Sequence, residues 1–137
     1  MPYRGRHPRD EKNHAEARSM TEALARRLEL LRAKGAMRSV DLAYLLAMRP
    51  ETVTRWIKGR AYPHAPTEKA LLRLEYIVDL LADLYEPSEA RLWIFAPQKL
   101  FGGVSPAELI RNGQINQVTQ LVLQLREAVH FDVPGGP

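Results

Sequence analysis

Residues 39–63 read SVDLAYLLAMRPETVTRWIKGRAYP, and this stretch decides the fold. Its first half has apolar residues at helical spacing, which predicts a short helix for which Ser39 is a suitable N-cap. Pro50 fits the first position of a second helix, because its missing N–H would have no partner there, and Gly59 supplies the stop. Two short helices and a tight junction predict a helix-turn-helix, which presents side chains to DNA.

The second helix of this pair has an inward and an outward face. Val53, Trp56 and Ile57 recur at spacings of three and four residues, so we expect them to face inward. The other side chains are mostly charged or hydroxylic, and such groups pair with guanine, base edges or phosphates. A helical module that binds only protein can show the same pattern and is an alternative. The candidate DNA-binding residues are Arg49, Glu51, Thr52, Thr54, Arg55, Lys58 and Arg60.

Charge is distributed unevenly along the 137 residues, whose formal net charge is +4. Residues 1–60 hold 14 Lys and Arg against 7 Asp and Glu, whereas residues 61–137 hold 6 against 9. The basic half is also the half that carries the helix pair. This gradient favours contact with phosphates and electrostatic steering towards double-stranded DNA.

Composition argues against several classes of protein. The chain has no Cys, so it has no disulfides, thiolate zinc ligands or cysteine nucleophile. Its four His are scattered without metal-ligand spacing, and the glycine pair at 102–103 lacks the pattern of a phosphate loop. We therefore expect no metal, no cofactor and no enzymatic activity. Without a signal-type leader or an apolar run long enough for a membrane, we expect a cytoplasmic protein.

The rest of the chain predicts further helices and no strand, hence an all-α fold of about seven helices. Ser19 with Glu22 forms a capping-box pattern, Thr67 can cap a long helix, and Ser105 can cap a third. The basic residues before Ser19 predict a flexible tail, either an arm on DNA or a leader without a role. The predicted segments are a tail (1–18), a helix-turn-helix region (19–66), a linking and dimerisation helix (67–86), a helical domain (87–132) and a C-terminal tail (133–137).

The apolar stripe of the 67–86 helix is wider than one narrow seam. This width predicts burial on two sides, either by the C-terminal part of the chain or by a second copy. A homodimer would also place paired recognition helices at DNA half-sites about one helical turn apart.

The C-terminal run carries four features in order. They are the LWIF helix at 92–95 with Pro97 and Leu100 behind it, the SPAELI helix start at 105–110, the RNG break at 111–113 and a last helix with an EAVHF tail at 127–131, where we expect the helix to break from His130 onwards. In this order they resemble the toxin-binding domain of the Xre/MbcA/ParS antitoxin family. The helix pair upstream also resembles that family's Xre-like helix-turn-helix, and the similarity covers roughly residues 20–132.

The resemblance implies an antitoxin that neutralises a RES-type toxin, which consumes NAD or transfers ADP-ribose, and that represses its own operon. In this family the C-terminal end of the antitoxin approaches the active-site cleft of the toxin, and aromatic side chains often anchor such interfaces. A stand-alone helix-turn-helix repressor, including one of phage origin, is the alternative because it can reuse the same modules. The candidate toxin-binding residues are Trp93, Phe95, Leu100, Val129, His130, Phe131 and Asp132.

Overall fold

The computed structural model describes the backbone of residues 8–131 and the side chains of residues 8–129. The regular secondary structure of the described part is helical and includes no strand, so the predicted all-α fold is confirmed. A single 3₁₀ turn, Lys99–Phe101, accompanies the α-helices. These helices are α1 (Pro8–Gly35), α2 (Ser39–Leu45), α3 (Pro50–Ile57), α4 (Ala65–Ala82), α5 (Pro87–Phe95), α6 (Pro106–Arg111) and α7 (Ile115–Phe131).

The first helix begins at Pro8, so the predicted start at Ser19 and the flexible tail over residues 8–18 are wrong. Pro8 suits an early helical position, and Asp10 and Glu11 lie in the first turn, where they complement the helix dipole. The segment that follows is rich in Ala, Glu, Arg and Lys, which favour helix without apolar periodicity. It is helical but exposed. Residues 1–7 and the predicted tail at 133–137 lie outside the described residues.

One hydrophobic core joins all seven α-helices. α4 lies at its centre and packs against α1, α5 and α7, so the wide apolar stripe is covered within the chain. The sequence predicted that either the C-terminal part of the chain or a second copy would bury this stripe, and the C-terminal part does so. The width of the stripe therefore no longer argues for a second copy. Fully buried side chains from five of the helices meet in this core, namely Leu24, Trp56, Leu71, Ile94 and Val118.

Helix starts agree with the sequence at Pro50 and at Ser105, and differ at α1, α2 and α4. The Ser105 hydroxyl accepts a hydrogen bond from the backbone N–H of Glu108 at 3.1 Å, as predicted. At α2 the N-cap is Arg38 instead of Ser39, and the carboxylate of Asp41 accepts from the Arg38 N–H at 2.9 Å. α4 begins at Ala65, so Thr67 is not its cap. Pro66 lies in the first turn of α4, where its missing N–H needs no partner, so this proline helps to open the helix.

Helix ends use left-handed residues. Gly59 and Gly113 end α3 and α6 with positive φ, in agreement with the predicted stops. The junction between α2 and α3 instead uses Ala47, whose φ is 54°. α7 remains helical through Phe131, although the sequence predicts a break from His130. The prolines that would stop the helix come later in the chain, so no residue before them forbids the helical conformation.

Neither a membrane-crossing helix nor a metal cluster occurs in the part of the chain that the structure describes. None of the described helices is both long and apolar enough to cross a membrane. Across the same residues, no group of three or more His, Asp or Glu could hold a metal ion.

Candidate functional site

α3 packs on α1 and α2 through Val53 and Trp56, which are fully buried as predicted. Ile57 was also expected to face inward, but it is 44% exposed. It occupies the last position of α3, at the rim of a groove that it lines together with Leu28 and Leu42. The buried face of α3 therefore includes Val53 and Trp56 but not Ile57, because the helix ends at Ile57 before this side chain reaches the core.

The candidate DNA-binding residues divide by exposure. Thr52 and Thr54 are half-buried, and the Thr54 hydroxyl donates to the carbonyl of Pro50 at 3.0 Å. The charged candidates are all exposed, and among residues 8–129 the four cations make no side-chain hydrogen bond or ion pair. One acidic and four basic side chains thus surround α3 and leave it with positive charge. These charged candidates are Arg49, Glu51, Arg55, Lys58 and Arg60.

A buried ion pair connects α2 with α5. The side chain of Asp41 is only 5% exposed, and its two oxygens accept from Arg91 Nη2 at 2.9 Å and Arg91 Nε at 3.2 Å. Burial alone would raise the pKa of Asp41, but hydrogen bonds from Arg91 and from the Arg38 backbone outweigh burial and lower it. The carboxylate is therefore ionised at neutral pH and holds the helix pair to the C-terminal helices.

Two cation–aromatic contacts extend this connection. Arg111 Nη1 donates to the carbonyl of Tyr44 at 2.7 Å, and its guanidinium carbon lies 4.7 Å from the centroid of the Tyr44 ring. The guanidinium of Arg91 lies 4.9 Å from the centroid of Phe95, whose ring in turn is 6.2 Å from that of Tyr44. Sequence reasoning missed this cluster. The one available signal was Asp41, an acidic side chain in the first turn of a mostly apolar helix.

The candidate toxin-binding residues do not form one cluster. Trp93 and Phe95 are half-buried against the core, so both contribute to the fold of this chain. Leu100 is 76% exposed on the 3₁₀ turn. Together with Phe101 it lines an open groove whose other wall is α7, from Gln117 to Gln124.

Val129 lies apart from these residues, near the end of α7. It follows the buried Val122 by seven residues and so continues the core-facing stripe of α7, yet more than half of it is exposed. The backbones of His130 and Phe131 continue this helix. The side chains of these two residues, and the whole of Asp132, lie outside the described part of the chain.

Comparison with known proteins places the chain in a family. No protein-family model matches it. Over 100 residues it is 30% identical to the mycobacterial cidal antitoxin MbcA of Mycobacterium tuberculosis, a match that covers 69% of this chain and 88% of that relative. MbcA of Mycobacterium bovis matches to the same extent. The chain belongs to the MbcA antitoxin family.

A solved structure supports the same assignment. The Mycobacterium tuberculosis MbcT–MbcA toxin–antitoxin complex contains a chain that is similar to this one with a TM-score of 0.67 and 26% sequence identity. The match covers 77% of this chain and 96% of that chain. The antitoxin resemblance seen in the sequence is thereby confirmed at the level of the MbcA family, and the helix-turn-helix assignment stays a prediction.

Proposed function

We propose that this member of the MbcA family neutralises a toxin through its C-terminal helices and binds its own operator through α2 and α3. The observation that carries the proposal is the identity with MbcA over most of that relative, together with the similarity to a chain of a toxin–antitoxin complex. In this proposal the partner is a RES-type toxin that consumes NAD or transfers ADP-ribose. The chemistry then belongs to the toxin, so the antitoxin itself needs no cofactor.

The proposal for DNA rests on the surface of α3. Arg55 and Lys58 lie on its exposed side, and neither is neutralised by another residue in the described part of the chain. Phosphate groups and the edges of guanine bases can pair with such unpaired cations. A bidentate Arg–guanine pair is worth about 1–3 kcal/mol of discrimination against the wrong base. We propose that α2 and α3 form a helix-turn-helix that binds double-stranded operator DNA, with Arg49 and Arg60 near the phosphates.

A mobility shift on the DNA upstream of the gene tests this assignment. The double variant Arg55→Ala, Lys58→Ala should lose most of the affinity. The matched control Arg73→Ala, Lys99→Ala removes the same charge from exposed positions outside the helix pair and should bind almost normally. Full affinity in the first variant would contradict the role of α3.

The proposal for the toxin rests on apolar groups that this chain leaves uncovered. Val129 extends the core-facing stripe of α7 with more than half of its surface exposed, and Leu100 protrudes beside an apolar and amide-lined groove. Burial of such groups in a partner supplies much of the energy of an interface. We propose that the segment from Val129 onwards enters the toxin cleft and that Leu100 contacts the toxin surface. The role of Trp93 and Phe95 as anchors of the toxin interface stays a prediction.

Co-expression with the toxin gene adjoining this one tests the second half of the proposal. Deletion of residues 129–137 should preserve helicity and DNA binding but abolish rescue of growth, because among the described residues the core cluster ends at Leu123. Rescue by the truncated chain would contradict the role of the tail. If the protein binds DNA and no toxin gene adjoins its own gene, the stand-alone repressor would be favoured instead.

The remaining expectations concern assembly and location. We propose a homodimer, because a two-fold pair of recognition helices reads the two half-sites of an operator. A protein that represses its own operon would act in the cytoplasm, at the nucleoid.

A further inference from the structure

The outward face of α4 carries a row of exposed side chains. Leu72 and Tyr76 lie in the middle of this row and are 52% and 49% exposed. The row has spacings of three, four, three and four residues, which keep side chains on one face of a helix and are typical of packed helix pairs. We call it the α4 seam; its members are Lys69, Leu72, Tyr76, Asp79 and Asp83.

The α4 seam is ordered by charge. Lys69 lies at its N-terminal end, Leu72 and Tyr76 in the middle, and Asp79 and Asp83 at its C-terminal end. An antiparallel copy of α4 centred between the apolar pair would place Lys69 opposite Asp79 of the second copy and Leu72 opposite its Tyr76. A parallel copy would instead oppose like charges, which is unfavourable. The seam is therefore complementary to itself in one direction only.

The charged members of the seam keep capacity for such contacts. Lys69 makes no side-chain hydrogen bond or ion pair with the described residues. Asp79 pairs with Lys34 at 2.9 Å and Asp83 with Arg126 at 3.2 Å, but both carboxylates remain more than half exposed. Each therefore has room for a second cation.

The apolar centre of the seam is wider than one helix. Leu30 of α1 is also more than half exposed, and it lines a shallow pocket together with Glu75 and Asp79 of α4. Each copy thus contributes three large apolar side chains, counting Leu72 and Tyr76. Their burial would supply the attraction that exposed ion pairs alone do not provide.

We propose that the α4 seam is the homodimer interface, formed by an antiparallel pair of α4 helices about a two-fold axis. Such an interface is isologous, so every contact occurs twice. The proposal rests on the homodimer part of the proposed function and is independent of DNA and toxin binding. A 15-residue helical seam is about 21 Å long, and packed helices lie about 8–10 Å apart.

Sedimentation of the full chain with exchanged charges tests the pairing. The wild type should have about twice the chain mass of 15.6 kDa at micromolar concentration. Lys69→Glu or Asp79→Lys alone should weaken the dimer at least about tenfold, because each creates two like-charge pairs. The double variant Lys69→Glu, Asp79→Lys should restore it. Lys34→Ala, which removes only the partner of Asp79 within the chain, is the control and should leave the mass unchanged.

Disulfide cross-linking tests the register, since the chain has no Cys of its own. A mixture of the Lys69→Cys chain with the Asp79→Cys chain should form a covalent dimer on mild oxidation. Either chain alone should not, because in this register the two copies of position 69 lie about 15 Å apart along the axis, beyond the reach of a disulfide.

Three results would overturn the inference, provided that the variants keep wild-type helicity. They are a single-chain mass for the wild type, a dimer that the single charge changes leave intact, and failure of the double variant to restore the dimer. Loss of toxin binding in Leu72→Glu with an unchanged mass would also overturn it and assign the seam to the toxin. Failure of Arg55→Ala, Lys58→Ala to affect DNA binding would count against the proposed function alone.

Discussion

Replacing Arg91 with Met should destabilise the fold through Asp41. The substitution keeps the aliphatic stem but removes both guanidinium donors from a carboxylate that is 5% exposed. Breaking a fully buried ion pair costs about 3–5 kcal/mol, because one charge is left without its partner. Arg91 itself is 34% exposed, and Asp41 keeps the N–H of Arg38 at 2.9 Å. We therefore expect a smaller loss of about 2–3 kcal/mol in the free energy of unfolding.

A double-mutant cycle isolates this interaction. Asp41→Asn, Arg91→Met removes both charges and should cost less than the sum of the single variants, with a coupling of about 2 kcal/mol. Urea unfolding followed by circular dichroism measures each step, and Arg91→Met alone should lower Tm by roughly 10 °C. The exposed pair Glu29–Arg32 is the control, and its Gln and Met variants should couple by less than about 0.5 kcal/mol. Equal coupling in the two cycles would refute the importance of burial.

Three further predictions follow from local features. The wild type should be more stable than Asp41→Asn by a constant amount above about pH 5, and this advantage should shrink at lower pH. The reason is that the pKa of Asp41 in the folded chain is lowered from 3.8, so on acidification the unfolded chain takes up the proton first. Urea unfolding at a series of pH values measures the difference. Ala47→Gly should raise and Gly59→Ala should lower the free energy of unfolding by about 1 kcal/mol each, since both positions have positive φ. Trp56→Ala should cost about 3–5 kcal/mol in the same assay, because the indole is fully buried; a loss below about 1 kcal/mol would contradict its place in the core.

The fold was largely predictable from the sequence because its helices carry local signals. Ser105 caps α6 as expected, and Gly59 and Gly113 end their helices with positive φ. The start of α1 was missed because residues 8–18 are polar on every side, and apolar periodicity does not register a helix without a buried face. The left-handed turn at Ala47 was not predicted either, because alanine has no preference for positive φ.

The candidate site was less predictable because its contacts are distant in the chain. Arg91 reaches Asp41 across 50 residues and Arg111 reaches Tyr44 across 67, separations that no periodicity can reveal. The exposed charges of α3 were foreseen, as they alternate with an apolar pattern. Ile57 was misplaced because that pattern does not show where the supporting core ends.

The helix pair and the C-terminal helices share one interior, and this limits how the proposed functions can be separated. Trp56 of α3 and Ile94 of α5 belong to the same core cluster, and the ion pair of Asp41 with Arg91 crosses between the two regions. Cutting the chain after residue 86 would expose the side of α4 that faces α5 and α7 and would leave the Asp41 carboxylate without Arg91. An isolated helix pair that loses DNA binding would therefore report unfolding. Surface variants in the full chain, such as those at Arg55 and Leu100, leave this interior intact and can assign each function to its own surface.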